Sequence, residues 1–306
     1  MGTDKLFSYQ TLVHAVSGAA GSVVAMSTFY PLDTVRSRLQ LDEHRKNGNT
    51  FVVLKELVAE EGFGTLYRGM VPVLQSLCAS NFVYFYAFHG LKATRGQKAT
   101  QGAGTDLLLA SVAGIINVLT TNPLWVVNTR LKMKGLSGQQ TQQYSGLWEG
   151  LLKVAKVEGI GKLWSGMTPS LLLVSNPAIQ FMVYESLKRR LHSVYKPENI
   201  SGLVYFALGA TAKALATVLT YPLQLVQAKL RHGHSYKDLR PDAGLIDMTM
   251  YILKKYGLAG LFKGMEAKIL QTVFTAALMF AAYEKIAGFI MSVLLVHHKG
   301  AIKMKH

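Results

Sequence analysis

Three copies of one proline motif constrain the fold of this chain more than any other feature. Each copy ends an apolar stretch and begins with Pro-Leu, at Pro31, Pro123 and Pro222. A second element, Gly-x-x-x-x-aromatic-x-Gly, follows each copy and closes at Gly69, Gly166 and Gly264. Two linked elements that recur at matched spacing indicate a tandem repeat. The sequence therefore predicts three repeats, over residues 8–97, 104–195 and 200–293.

Six apolar stretches, two in each repeat, are candidates for membrane spans. A spanning helix needs roughly 20 mostly apolar residues. The stretches are 11–32, 69–91, 107–127, 167–184, 201–228 and 269–296. The first four contain no Asp, Glu, Lys or Arg, the fifth contains only Lys213, and the sixth contains only Glu284 and Lys285. With 50% hydrophobic and 16% charged residues, the chain is predicted to cross a bilayer six times.

Each repeat reads as a span, a loop, a short amphipathic helix and a second span. Short helices with one apolar face lie at a membrane interface. A proline inside a helix removes a backbone hydrogen bond and bends the helix, so the first span of each repeat is expected to bend inwards at its proline. The predicted fold is an all-α membrane protein with three tandem repeats around a pseudo-threefold axis and a central cavity.

The net charge of +16 bears on the partners of the chain. It fits basic loops beside anionic lipid headgroups, and it is compatible with an anionic cargo that enters a basic cavity. The basic residues form no continuous patch, so no nucleic-acid partner is expected. The pair His232 and His234 has no further metal ligands nearby, and no nucleophile lies beside a base. We expect neither a metal site nor an enzyme.

The paired elements resemble the signature of the mitochondrial carrier family. That signature reads Pro-x-Asp/Glu-x-x-Lys/Arg-x-Lys/Arg, then Asp/Glu-Gly-x-x-x-x-aromatic-Lys/Arg-Gly. The first repeat matches every position, with Asp33, Arg36, Arg38 and Glu61 at four of them. The resemblance implies a monomeric six-helix carrier with one central site, alternating access and both termini in the cytosol.

Departures from the signature point to a branch of this family. Trp125 replaces the acid and Asn128 replaces the base in the second repeat, as in carriers of nucleotide cofactors. The stretches 80–86, 176–185 and 266–272 are most similar to peroxisomal carriers. The resemblance implies that CoA, FAD, NAD and adenine nucleotides are transported cargo rather than bound cofactors. It also implies the peroxisomal membrane as the location and the import machinery of that membrane as a partner.

Two alternatives stay open at this point. The first is a nucleotide, FAD or folate carrier of the mitochondrial inner membrane, which the resemblance implies as the usual location of the family. Both sides of the spans are basic, so the positive-inside rule does not decide the orientation. The second is a carrier-like scaffold that transports nothing, against which the two lysines inside spans argue.

In this family the signature residues of neighbouring odd-numbered spans pair and close a matrix-side gate. The residues that the resemblance places in it are Asp33, Arg36, Gln40, Trp125, Asn128, Gln224 and Gln227. The implied pairs are Asp33 with Asn128, Trp125 with Gln227 and Gln224 with Arg36, and Gln40 is implied to brace Arg36. None of these contacts is a full ion pair, so the gate is predicted to be weakly locked.

The cytosolic-side gate of the family uses an aromatic-Asp/Glu-x-x-Lys/Arg motif on the even-numbered spans. The implied residues are His89, Lys92, Glu185, Lys188 and Glu284. Only Lys92 with Glu284 is implied as an ion pair. His89 replaces an acid. Protonation of His89 would add a second positive charge near Lys188, so acid is expected to loosen the gate. A neutral His89 that faces lipid is an open alternative.

Ionisable residues inside spans are costly and are therefore functional candidates. Lys213 and Lys268 are predicted to contact phosphate oxygens of the cargo. The resemblance implies contact positions on the even-numbered spans at Ser76, Leu172, Leu173, Gln271 and Thr272. Leu172 and Leu173 are the apolar pair among them, and an apolar contact position favours a ring such as adenine as the bound group. Further candidates for the polar edges of base or ribose are Asn81, Asn117, Asn176 and Gln180.

Overall fold

The computed structural model describes residues 23–42, 45, 48–94, 103–133, 145–195, 200–233, 236, 239–240 and 242–278. Regular structure in these ranges is helical throughout, and they contain no strand. The prediction of an all-α fold is confirmed. The cytosolic-side residue Glu284 lies outside the described residues.

The long helices follow the predicted spans. Span 1 consists of helical residues 23–28 and Tyr30–Leu41, span 2 is Met70–Thr94, span 3 is Ala103–Lys132, and span 5 is Gly202–His232. Span 4 consists of Met167–Leu172, a 3-10 turn at Leu173–Ser175 and Asn176–Val194, and span 6 begins with helical residues 265–278. In the described ranges, three segments are long and apolar enough to cross a membrane: Phe63–Lys92, Gly104–Lys132 and Gly202–His232. Span 4 is interrupted before Pro177, which has no N–H to continue the helical ladder.

Three short helices lie on the side of the bundle where the odd-numbered spans end, here called the signature side. Surface helix 1 is Thr50–Glu61, surface helix 2 is Leu147–Val157, and surface helix 3 is Leu245–Gly260 with a non-helical residue at Gly257. Each buries one face against its own odd-numbered span. Large apolar side chains on the other face stay exposed, among them Phe51, Trp148 and Ile246. This division is typical of a helix that lies in the headgroup region.

A small apolar core holds each surface helix to its repeat. In the first repeat, Val35 and Leu39 of span 1 pack against Val53 and Leu57 of surface helix 1. Val127 and Leu131 take the same positions in span 3, as do Val226 and Leu230 in span 5. Apolar residues one turn apart on the odd-numbered spans therefore build the same joint three times.

The three motif prolines differ in their local structure. Pro31 follows a break at Phe29, whereas Pro123 and Pro222 lie inside continuous helices. Because Pro123 has no N–H, the carbonyl of Leu119 loses its usual donor. Trp164 Nε1 donates to that carbonyl at 2.9 Å, so the aromatic residue of the second element satisfies a group that the proline has freed.

The residue before each proline ties the two signature elements together. Tyr30 Oη donates to the carbonyl of Arg68 at 3.1 Å, Asn122 Nδ2 to that of Ser165 at 3.1 Å, and Tyr221 Oη to that of Lys263 at 2.8 Å. Each acceptor directly precedes a closing glycine. The linked spacing of the two elements thus has a physical cause, because one hydrogen bond joins them in every repeat.

The closing glycines sit where neighbouring repeats come closest. Gly166 has a φ of +72°, and a Cβ built on it would lie 3.1 Å from Arg231 Cγ and 3.1 Å from the carbonyl oxygen of Gln227. Gly69 and Gly264 also have positive φ and similar contacts with spans 3 and 1. Only glycine combines this backbone conformation with such a close approach.

We expect Gly166→Ala to lower the stability of the purified carrier by about 1–2 kcal/mol through backbone strain and by roughly 1–3 kcal/mol more through overpacking. Gly159 has a φ of +95° with extended ψ and open space around it, so Gly159→Ala carries a backbone cost of about 1–3 kcal/mol and no overpacking. Gly161 has neither constraint. The measurement is the thermal unfolding midpoint in detergent. Gly166→Ala should have the lowest midpoint, Gly159→Ala an intermediate one and Gly161→Ala the highest. Equal midpoints would contradict the close approach.

Candidate functional site: a polar layer beneath a cationic cavity

The signature ends of spans 1, 3 and 5 meet in a set of buried and half-buried polar side chains, here called the polar layer. Its members are Asp33, Arg36, Gln40, Ser76, Asn122, Asn128, Lys132, Ser170, Tyr221 and Arg231. Polar groups inside a membrane protein need partners in the protein, because lipid offers none. The contacts within the polar layer therefore determine how firmly this end of the bundle is closed.

Asp33 is the one carboxylate of the polar layer. Its side chain is buried. The carboxylate forms one ion pair with Arg36 Nη2 of its own helix at 2.9 Å and another with Lys132 Nζ of span 3. Gln271 Nε2 of span 6 donates to Asp33 Oδ1 at 3.4 Å. A buried carboxylate is tolerated only when such donors replace its hydration. Asp33 thus ties spans 1, 3 and 6 together.

The predicted contact between Asp33 and Asn128 is wrong. Lys132, one helical turn after Asn128, reaches Asp33 instead, and Asn128 Nδ2 donates to Ser76 Oγ of span 2 at 2.6 Å. A charged donor forms the stronger hydrogen bond with a carboxylate, and the lysine side chain is long enough to extend back along its helix. Spans 1 and 3 are therefore joined by an ion pair that the implied gate pairs did not include.

The other two implied gate pairs are replaced as well. Trp125 Nε1 donates to Ser80 Oγ of span 2 at 3.0 Å rather than facing Gln227. Gln227 Nε2 donates to Ser170 Oγ of span 4 at 2.8 Å. Gln224 Nε2 donates at 3.1 Å to Thr220 Oγ1 in its own helix and does not reach Arg36. All three of these neutral side chains donate to a nearby hydroxyl group instead of a residue on another odd-numbered span.

The strongest contacts between repeats come from one position, a turn beyond the signature charges. Gln40, Lys132 and Arg231 occupy it in the three repeats. Gln40 Nε2 donates to Tyr221 Oη at 2.9 Å, so it braces span 5 rather than Arg36. Lys132 Nζ lies 5.4 Å from the ring centre of Tyr30, and Arg231 Nη2 donates to Asn122 Oδ1 at 3.0 Å. Each side chain contacts the residue before the proline of another repeat.

Sequence reasoning missed Lys132 and Arg231 as members of this layer. The signal was present, because extending the alignment of the three proline motifs by one turn places both residues level with Gln40. Asn122, Tyr30 and Tyr221 directly precede the prolines and could have been found in the same way.

Lys268 lies on span 6 near the level of the polar layer, and Lys213 lies on span 5 further from the signature side. Lys268 is half-buried, one turn nearer the signature side than Gln271, and the charges that act on it belong to Arg36, Asp33, Lys213 and Lys132. Lys213 is exposed. The structure thus brings both predicted lysines into one electrostatic cluster.

The remaining predicted contact residues divide into two groups. Ser76, Gln271 and Thr272 are buried at the level of the polar layer. The residues at more accessible or intermediate positions are Asn81, Asn117, Leu172, Leu173, Asn176 and Gln180. Two of these have side-chain partners within the protein, since Asn176 Nδ2 donates to Thr220 Oγ1 at 2.8 Å and Asn117 Oδ1 accepts from Thr121 Oγ1 at 3.4 Å. Leu172 and Leu173 lie where span 4 changes to a 3-10 turn.

At the opposite end of the bundle, the described ion pairs lie within one span or between neighbouring spans. Lys92 pairs with Asp106 of span 3 at 3.6 Å, and Lys188 pairs with Glu185 of its own helix at 3.7 Å. His89 is exposed and packs edge-to-face on Phe88. Within the described residues, no ion pair joins two even-numbered spans. The implied pair of Lys92 with Glu284 stays a prediction, because Glu284 lies outside those residues.

Comparison with known proteins agrees with this fold. The sequence profile described as mitochondrial carrier protein matches residues 7–98, 100–195 and 198–293. Peroxisomal membrane protein PMP34 of Mus musculus is 50% identical over 300 residues, which cover 94% of this chain and 96% of the relative. The peroxisomal nicotinamide adenine dinucleotide carrier of Arabidopsis thaliana is 33% identical, with 90% and 95% covered. Peroxisomal adenine nucleotide carrier 1 of Glycine max is 32% identical, with 91% of each chain covered.

These relatives confirm the predicted peroxisomal membrane location and the prediction of a carrier rather than an enzyme. The profile matches nearly the whole chain in three segments, each with one signature proline and one closing glycine. The chain belongs to the mitochondrial carrier protein family.

Proposed function

We propose that this protein exchanges nucleotide-type cofactors, among them CoA, FAD, NAD and adenine nucleotides, across the peroxisomal membrane by alternating access. The observation that carries the proposal is the excess of basic side chains around Asp33, where Arg36 and Lys132 already pair with that carboxylate and Lys268 adds a further positive charge. Relatives named as carriers of nicotinamide adenine dinucleotide and of adenine nucleotides support it.

The charge balance around Lys268 favours a phosphorylated cargo. Its electrostatic neighbours are three cations, Arg36, Lys132 and Lys213, and one acid, Asp33. Excess positive charge at membrane depth is costly, and an anion that enters the cavity relieves this cost. Lysine and arginine are the side chains that bind phosphate best in proteins.

Span 4 offers a different surface to the cargo. Leu172 is exposed, and the helix is interrupted directly after it. An apolar shelf beside accessible polar side chains such as Gln180 and Asn81 suits an aromatic base, whose faces are apolar and whose edges form hydrogen bonds. We assign the phosphates to the lysine side of the cavity and the base to span 4.

The polar layer acts as the gate on the signature side in this proposal, and the residues around Lys92, Glu185 and Lys188 act as the gate on the other side. The termini face the cytosol, the carrier works as a monomer among anionic lipids, and it reaches its membrane through the peroxisomal import machinery. Exchange requires the ion pair between Asp33 and Lys132 to open in every cycle.

We expect Lys213→Gln and Lys268→Gln to lower the initial rate of cofactor exchange by about tenfold or more, because each variant removes a charged hydrogen bond to the cargo. The measurement is uptake of labelled AMP into liposomes that contain the purified carrier and are preloaded with CoA or AMP. Lys153→Gln, an exposed lysine of surface helix 2, is the matched control and should exchange at the wild-type rate.

Absence of exchange by the wild-type protein with every cofactor in the panel would contradict the proposed function. Wild-type rates in both lysine variants would instead show that the cargo binds elsewhere.

We expect Asp33→Asn and Lys132→Gln to lower the thermal unfolding midpoint individually, and the double variant to lose less than the sum of the two. The coupling should be roughly 1–3 kcal/mol, because each single variant leaves a buried charge without its partner. The control cycle uses Arg45 and Glu56, an ion pair at 3.0 Å with a half-exposed glutamate, for which coupling below about 1 kcal/mol is expected. Equal coupling in the two cycles would contradict the gate.

A further inference from the structure

Arg231 is a cation of the polar layer with neutral partners. Its Nη2 donates to Asn122 Oδ1 at 3.0 Å and to Ser170 Oγ at 3.1 Å, and its buried Nε has no hydrogen-bond partner. Among the residues that the structure describes, no carboxylate lies within ion-pair distance of Arg231. A guanidinium in such a place retains the capacity to bind an anion.

Comparison with the equivalent residues of the other repeats makes this arrangement distinctive. Gln40 carries no charge, and Lys132 is already paired with Asp33. Trp125 occupies in the second repeat the position that Asp33 occupies in the first, so the acid that would have held Arg231 is absent. Of these three equivalent positions, the one on span 5 holds a cation that has not been neutralised.

The side chain of Arg231 lies in the seam between the second and third repeats. Its partners Asn122 and Ser170 belong to spans 3 and 4, and its Cγ is packed against Gly166. Every one of these contacts crosses the seam. Separation of the two repeats on the signature side therefore releases the guanidinium into the opened cavity.

We propose that Arg231 binds a phosphate group of the cargo when the carrier is open to the signature side, and so serves one half of the transport cycle. This inference rests on the proposed function, because it requires a phosphorylated cargo. Lys213 and Lys268 receive the phosphates when the carrier is open to the opposite side. As the polar layer parts, the phosphates pass to Arg231, whose bonds to Asn122 and Ser170 are bonds to neutral groups.

The test is the sidedness of the Michaelis constant. Carrier is reconstituted into liposomes in a determined orientation, and KM for labelled AMP is measured from each side separately. We expect Arg231→Gln to raise the signature-side KM by about tenfold, since one charged hydrogen bond to phosphate is lost, and to change the opposite-side KM by less than about twofold. Arg231→Lys, which keeps the charge, should recover part of the loss. Arg240→Gln removes an exposed cation on the same side and should alter neither constant.

A purely structural role in the seam gives a different result. KM would then change equally from both sides, or only the unfolding midpoint would fall, and either outcome overturns the proposal. Arg231→Met keeps the aliphatic stem in the seam and carries the same expectation if Arg231→Gln fails to fold. A wild-type carrier that exchanges no nucleotide would overturn the proposed function as well, whereas an active wild type with symmetric variants overturns only the role of Arg231.

Discussion

Asp33 forms an ion pair with Lys132 at a depth where neither water nor lipid can replace either partner. The pair joins the first repeat to the second, and Gln271 adds a bond from span 6 to the same carboxylate. Breaking a buried ion pair costs far more than breaking an exposed one. The remaining contacts between repeats in the polar layer are hydrogen bonds and packing around a closing glycine. Asp33 is therefore the point on which closure of the signature side depends.

The same backbone frame occurs three times, yet its chemistry differs in each repeat. A hydrogen bond from the residue before the proline to the carbonyl before the closing glycine is present in all three. The residue one turn beyond the signature is glutamine, lysine or arginine. The shared frame gives the pseudo-threefold fold, and the differences leave more positive than negative charge around the axis. An anionic cargo is the ligand that this imbalance favours.

Much of the fold could be predicted from sequence, because the repeated motif and the apolar stretches are long-range patterns. The pairing of gate residues could not. The implied contact between Asp33 and Asn128 followed the alignment position, whereas the actual contact depends on side-chain reach and on the advantage of a charged donor, which brings in Lys132 from the next turn. The break in span 4 at Leu173–Ser175 also escaped prediction, although Pro177 marked where the helical ladder had to fail.

Cargo can cross only if the repeats separate at the polar layer. A disulfide tests it directly, because a Cβ on Gly166 would lie 3.5 Å from Cβ of Leu230, close to the separation that a disulfide requires. The measurement is cofactor exchange by Gly166→Cys/Leu230→Cys in a Cys78→Ser background, before and after oxidation. Oxidation is expected to stop exchange and a reductant to restore it, while each single-cysteine variant, compared with its own rate before oxidation, should not respond to the oxidant. The side chain at Gly166 lowers stability in the single and the double variant alike, so this comparison isolates the effect of the cross-link. Unchanged exchange by the cross-linked protein would contradict the requirement for separation.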